Sequence, residues 1–131
     1  MGLAERRAIK KFEDEHFPKY KEQIDAVAGF DVEVHVEWGT LAADDYAHLY
    51  DEALPKVYFE PVIEALREIC IDELGKDALR EGLRRVDLKW SGSKRLGFEG
   101  GVLTVDHSPV SNLDYVDERK RELQKALEKS L

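Results

Sequence analysis

Cysteine is almost absent from this chain, Cys70 being the only one. One thiol cannot form an internal disulfide, so a secreted, disulfide-stapled scaffold is excluded and a reducing, cytoplasmic setting is expected. Long apolar runs are also missing. None approaches the roughly 18 residues of a spanning helix, and the first residues lack the apolar stretch of a signal peptide, so no membrane association is expected. Two near-matches to targeting signals fail as well. Arg6 stands where a myristoylation signal has Ser or Thr, and Lys129-Ser130-Leu131 reverses the order of a peroxisomal address.

Positive charge is in short supply. The chain has 20 Lys and Arg against 28 Asp and Glu, a net charge of -8. Nucleic-acid affinity rests on clustered cations neutralising phosphates, so neither DNA nor RNA is an expected partner. Reactive signatures are lacking too: Gly-x-Ser-x-Gly, Gly-Lys-Ser/Thr, His-Glu-x-x-His and Cys-x-x-Cys do not occur. No catalytic residue, metal ligand or cofactor is assigned from motifs.

What is present is an ordinary apolar fraction, 43%, under a heavily charged surface, 37%. A length of 131 residues fits one domain spanning 1–131, with no repeat or linker to divide it. The charge is segregated. Residues 31–64 carry nine acids (Asp31, Glu33, Glu37, Asp44, Asp45, Asp51, Glu52, Glu60, Glu64) and only Lys56 in return. Residues 80–95 carry Arg80, Arg84, Arg85, Lys89, Lys94 and Arg95 against Glu81 and Asp87. A fold that sets these stretches side by side relieves both.

Ile9, Phe12, His16, Tyr20, Ile24 and Val27 recur at helical spacing, predicting a helix from about Leu3 to Ala28 that Pro18 kinks near Asp14 to Phe17, the continuing apolar phase favouring a kink over a break. From Phe30 the period becomes two: Val32, Val34, Val36 and Trp38 alternate with polar residues, predicting a strand from Phe30 to Trp38 with one polar face. Asp44-Asp45 suit the cap of a short helix ending at Pro55. A strong helix follows, whose stripe Val62, Ile63, Leu66, Ile69, Cys70 and Leu74 is expected to stop at Gly75. Three strands, around Val86-Leu88-Trp90, Leu96-Phe98 and Leu103-Val105, are predicted to form an antiparallel meander through Ser91-Gly92-Ser93-Lys94 and Glu99-Gly100-Gly101. A last helix buries Val116, Leu123, Leu127 and Leu131. The expected fold is α+β: a two-layer sandwich with a four-stranded, mainly antiparallel sheet and helices on one face.

Glu33, His35 and Glu37 share one face of the predicted strand, about 7 Å apart in sequence order. That row suits a solvated face balanced by Arg85 and Lys89. The consecutive residues Asp106, His107 and Ser108 have the letters of a hydrolase triad, but neighbours on a strand point to opposite faces. His16 reads as a boundary residue, Cys70 as a small buried hydrophobe, and Trp38 and Trp90 as core, or as partner anchors if exposed. The leading expectation is a non-catalytic module whose binding residues are Asp31, Glu33, His35, Glu37, Trp38, Asp44 and Asp45, facing a basic protein partner. The alternative is a small-ligand site or enzyme over the polar sheet face, with His35 as acid/base. A monomer or weak homodimer is expected, the latter through Leu123, Leu127 and Leu131 of the last helix.

Overall fold

The computed structural model describes residues 2–131. Helix α1 (Leu3–Glu15) and helix α2 (Phe17–Ala28) replace the single long helix. Pro18 lies in the first turn of α2, where its missing amide costs nothing, and the chain divides at His16. Gly29 then ends α2 with φ 85°, the left-handed conformation that glycine adopts without strain.

Strand β1 (Val34–Val36) is shorter than the alternation suggests. Its ladder is lengthened by one bond at each end, Val86 N–H to the Glu33 carbonyl and Glu37 N–H to the Leu88 carbonyl, both 2.9 Å. Trp38–Thr40 then coils into a 3-10 turn. Asp44 and Asp45 do not cap a helix. They lie in a turn, Asp45 at φ 69°, before a second 3-10 turn at Ala47–Leu49 and helix α3 (Tyr50–Leu54).

Pro55 does not close that helix either. The chain widens into a π-turn over Pro55–Phe59 and runs directly into α4 (Glu60–Ile69), with the Glu60 amide bonding the Pro55 carbonyl five residues back. A π-turn leaves a backbone amide to spare, so a proline is accommodated where an α-turn would break. Helix α4 stops short of Leu74. Asp72 caps a new helix, α5 (Glu73–Gly82), by accepting the Gly75 amide at 2.8 Å. Gly75 is therefore inside a helix, not beyond one, and a Cβ there would lie 1.7 Å from the Ile69 carbonyl oxygen. This corner turns Ile71 and Leu74 out to solvent.

The sheet differs most from expectation. Strands β2 (Arg85–Lys89), β3 (Arg95–Glu99) and β4 (Val102–Asp106) join β1 in the order β1-β2-β4-β3. Two of the three pairings, β1 with β2 and β2 with β4, are parallel, and only β3 with β4 is antiparallel. The sheet is thus mixed and mostly parallel rather than a meander. The Gly100-Gly101 hairpin is as predicted, both residues at positive φ. The Ser91–Lys94 segment is not a hairpin; it crosses the end of β4 to reach the far edge. Asp106, the last residue of β4, holds it in place, accepting the Ser91 amide at 2.7 Å and the Ser91 hydroxyl at 2.6 Å.

Helix α6 (Val116–Ser130) packs on β3 and on α4. One apolar cluster runs from Ile9 to Leu127 and joins the helices to Val86, Leu88, Leu103 and Val105 on one face of the sheet. Leu123 and Leu127 are wholly buried in it, so the helix face proposed for self-association is already occupied; only Leu131 remains partly exposed. Among the described residues no helix is long and apolar enough to cross a membrane.

Candidate functional site

The seven residues singled out in the sequence divide into three groups. Glu33, His35 and Glu37 stand on the polar sheet face, each with more than half of its side chain exposed. This face is open at β1, and its charges are matched locally. Lys89 lies 3.8 Å from Glu37, and Arg85 donates to its strand neighbour Asp87 at 2.7 Å while also feeling Glu33. His35 faces Asp87 across the ladder, and its Nε2 lies 3.6 Å from a Glu33 oxygen. Pairing β1 with β2 therefore lays the acidic stretch beside the basic one, as the segregated charge suggests.

Asp31 sits at the entry to β1. Lys21 reaches it at 2.7 Å and also binds Asp25, whose carboxylate accepts the Val32 amide at 2.9 Å. This is a strand anchor. Trp38 is partly buried: it packs on the rings of Phe12, 6.0 Å away, and Phe17, 5.4 Å away, and its remaining surface borders a shallow pocket beside Arg6 and Lys10 of α1. Asp44 and Asp45 lie away from the sheet face, in the exposed turn before α3.

That turn belongs to an acidic flank on the helical side. Asp51 and Glu60 both act on the Tyr20 hydroxyl, whose pKa is raised first by burial and then by these carboxylates. Glu5 and Asp44 do the same to Tyr50, again after burial, while its bond to Ala43 opposes them. Lys56 is shared between Glu52 at 2.9 Å and Asp114 at 3.4 Å, and His16 lies 3.7 Å from Asp51.

A buried polar node lies where β4 leaves the sheet. Arg119 is enclosed, and its guanidinium donates to the carbonyls of Asn112, Leu113 and Lys56 at 2.7 to 3.0 Å. Its Nε has no partner among the described residues, and burial pulls its pKa down despite Tyr58 and Glu118. The Tyr58 hydroxyl donates to the His107 carbonyl, and the His107 Nδ1 lies 2.7 Å from the Ser108 carbonyl. Asp106 is engaged by Ser91 and not by His107, so the triad letters form no relay. Arg119 joins Leu123 and Leu127 as a buried residue of α6, although arginine on a helix ordinarily signals a solvated face. Its spacing of four and eight from Leu123 and Leu127 places it on their buried stripe.

Burial holds His107 below the usual histidine range; Arg119 and Lys94 add to this, while the Ser108 carbonyl and Glu122 oppose it. A depressed histidine is neutral in the fold, so the unfolded chain binds the extra proton first. Stability is therefore expected to fall as pH drops below about 6.5. Urea midpoints across about pH 5 to 8 check this. His107→Gln is expected to flatten the profile, and an unchanged slope would contradict the assignment.

Cys70 is half-buried, and burial pushes its thiol up with Lys76 opposing, which disfavours the nucleophilic thiolate. Among the described residues no group of three His, Cys, Asp or Glu side chains converges on a metal-sized site. Comparison with protein-family models, with curated proteins and with solved structures finds no match to this chain.

Proposed function

We propose that this chain is a non-catalytic protein-interaction module whose acidic surface, contributed by residues 31–64, docks a basic protein partner. One observation carries the reading: Asp44, Asp45, Asp51, Glu52 and Glu60 are all exposed along the turn, α3 and the start of α4, and the single lysine of the segment is already shared by Glu52 and Asp114. A surface of one sign raises encounter rates with the opposite sign and makes binding salt-sensitive. The sheet face contributes less, because Arg85 and Lys89 offset its acids. The small-ligand reading around His35 has the Glu33 contact in its favour, but the histidine lies on an open face rather than in the enclosing cleft that small ligands use.

Capture from the source cell tests the proposal, with the wild-type protein and the Asp51→Lys/Glu60→Lys double variant as baits. Both positions are exposed, so the variant is expected to keep its fold. A basic protein recovered by wild type at low salt, lost when ionic strength rises to about 0.3 M, and absent from the reversed bait is the expected result. An identical set of proteins on both baits would overturn it.

A further inference from the structure

The corner between α4 and α5 presents apolar surface that the core does not use. Ile71 and Leu74 are 78% and 79% exposed, the highest values among the large apolar side chains. They border a crevice of about 370 Å3 that runs over Ile69 and Ala78 to Leu131 at the end of α6. Leu74, Ala78 and Gly82 follow one another at four-residue spacing along α5, and the small residues leave the depression into which Leu131 leans.

The crevice has a charge as well as a shape. Its walls include Glu68, Asp72 and Glu128 and no lysine or arginine. Lys120 approaches Glu68 from outside at 3.4 Å, and Lys76 lies beside Glu73 at 3.4 Å. Asp72 is committed to the Gly75 amide through one oxygen. An occupant must therefore bring apolar groups for the floor and cations for the rim.

We infer that this crevice is a docking groove for a basic amphipathic helix of a partner protein, with leucine-type anchors at helical spacing seated between Leu74, Ile71 and Leu131. Helix-in-groove recognition uses this combination of anchors three and four residues apart with charges at the border. A second copy of the chain fits less well, because a two-fold contact through this crevice sets one acidic rim against another. An anionic lipid surface meets the same repulsion. The groove shares no residue with the acidic flank or the sheet face, so it stands or falls independently of the function proposed above.

Fluorescence anisotropy decides the matter with two labelled probes. One is a leucine-lysine peptide of about 14 residues, four helical turns, patterned as an amphipathic helix. The other has the same lysines with serine in place of leucine. The wild-type protein is expected to bind the first peptide and to favour it over the second by tenfold or more, on the order of 1.4 kcal/mol. Ile71→Ser/Leu74→Ser alters only exposed side chains, so circular dichroism should be unchanged while that preference disappears. Glu128→Lys should weaken binding, most at low salt, and Asp51→Lys/Glu60→Lys should retain the preference. Equal binding of both peptides, or an unchanged preference in Ile71→Ser/Leu74→Ser, would overturn the groove. So would sedimentation showing a wild-type dimer that the double variant abolishes, or binding to phosphatidylserine vesicles that the double variant loses.

Discussion

Arg119→Met should lower the unfolding free energy by about 3 kcal/mol, because it strips three part-buried carbonyls of their donor at once. Methionine keeps the unbranched stem and fills the same space, so the apolar packing of α6 survives. What disappears is the guanidinium that joins Asn112 and Leu113, in the connection before α6, to Lys56 in the π-turn. Each carbonyl left without a partner costs about 1 to 3 kcal/mol when buried and less where water reaches it. Arg119→Lys should fall between the two, since one ammonium cannot span three acceptors in the guanidinium's fixed plane. Urea denaturation with an unchanged m-value would measure the loss. Limited proteolysis should show cleavage near residues 110–115 appearing in the methionine variant first. A methionine variant as stable as wild type would mean that the arginine's desolvation cancels its hydrogen bonds, as happens at some buried charges.

Phe59→Ala should be more damaging still, at about 4 kcal/mol. The ring is fully buried in the π-turn and meets Tyr20 at 5.1 Å, Phe17 at 5.8 Å and Phe12 at 5.9 Å. These partners come from α1 and α2, so this side chain joins the N-terminal helix pair to the centre of the fold. Removing it loses the transfer energy of the ring, opens a cavity and breaks stacked pairs worth about 0.5 to 1.5 kcal/mol each. Phe59→Leu should cost about half as much. Domains of this size are stable by only about 5 to 15 kcal/mol, so the alanine variant should melt many degrees lower in calorimetry. A loss below about 1 kcal/mol would show that the helices close over the gap.

Particular residues explain which parts of this structure could be read from the sequence. The alternation from Val32 to Val36 marks a real strand with an apolar inside and an ionic outside, because burial selects side chains with period two. Direction is a different matter. Val86-Leu88, Leu96-Phe98 and Leu103-Val105 alternate identically in parallel and antiparallel ladders, so the interposition of β4 between β2 and β3 left no mark on the pattern. Pro55 and Gly75 carried the usual meaning of stop signals, yet a π-turn absorbed the first and the Asp72 cap placed the second inside a new helix. Taking Gly75 as a stop also hides the exposed corner, since it places Leu74 on the buried stripe of α4.

The candidate surfaces were legible to different degrees. The crowding of acids in residues 31–64 is plain in the letters, and so is the compensation of β1 by β2. The division of those acids between a balanced sheet face and an unbalanced helical flank is not, because it depends on where the segment turns after Trp38. The polar node was hidden for another reason. Arginine in a helix usually signals water, and only its register with Leu123 and Leu127 hinted that this one points inward.

The brevity of β1 has a bearing on solubility. An open sheet ends in two rims of unsatisfied amides and carbonyls, which other chains can use as a template for aggregation. Here one rim is three residues long, flanked by Glu33 and Glu37, and curls away at Trp38. The other rim, β3, begins at Arg95 and ends at Glu99, both exposed. Neither offers a stranger a long, flat, uncharged run, which lets the sheet leave one face uncovered without becoming the seed of a fibre.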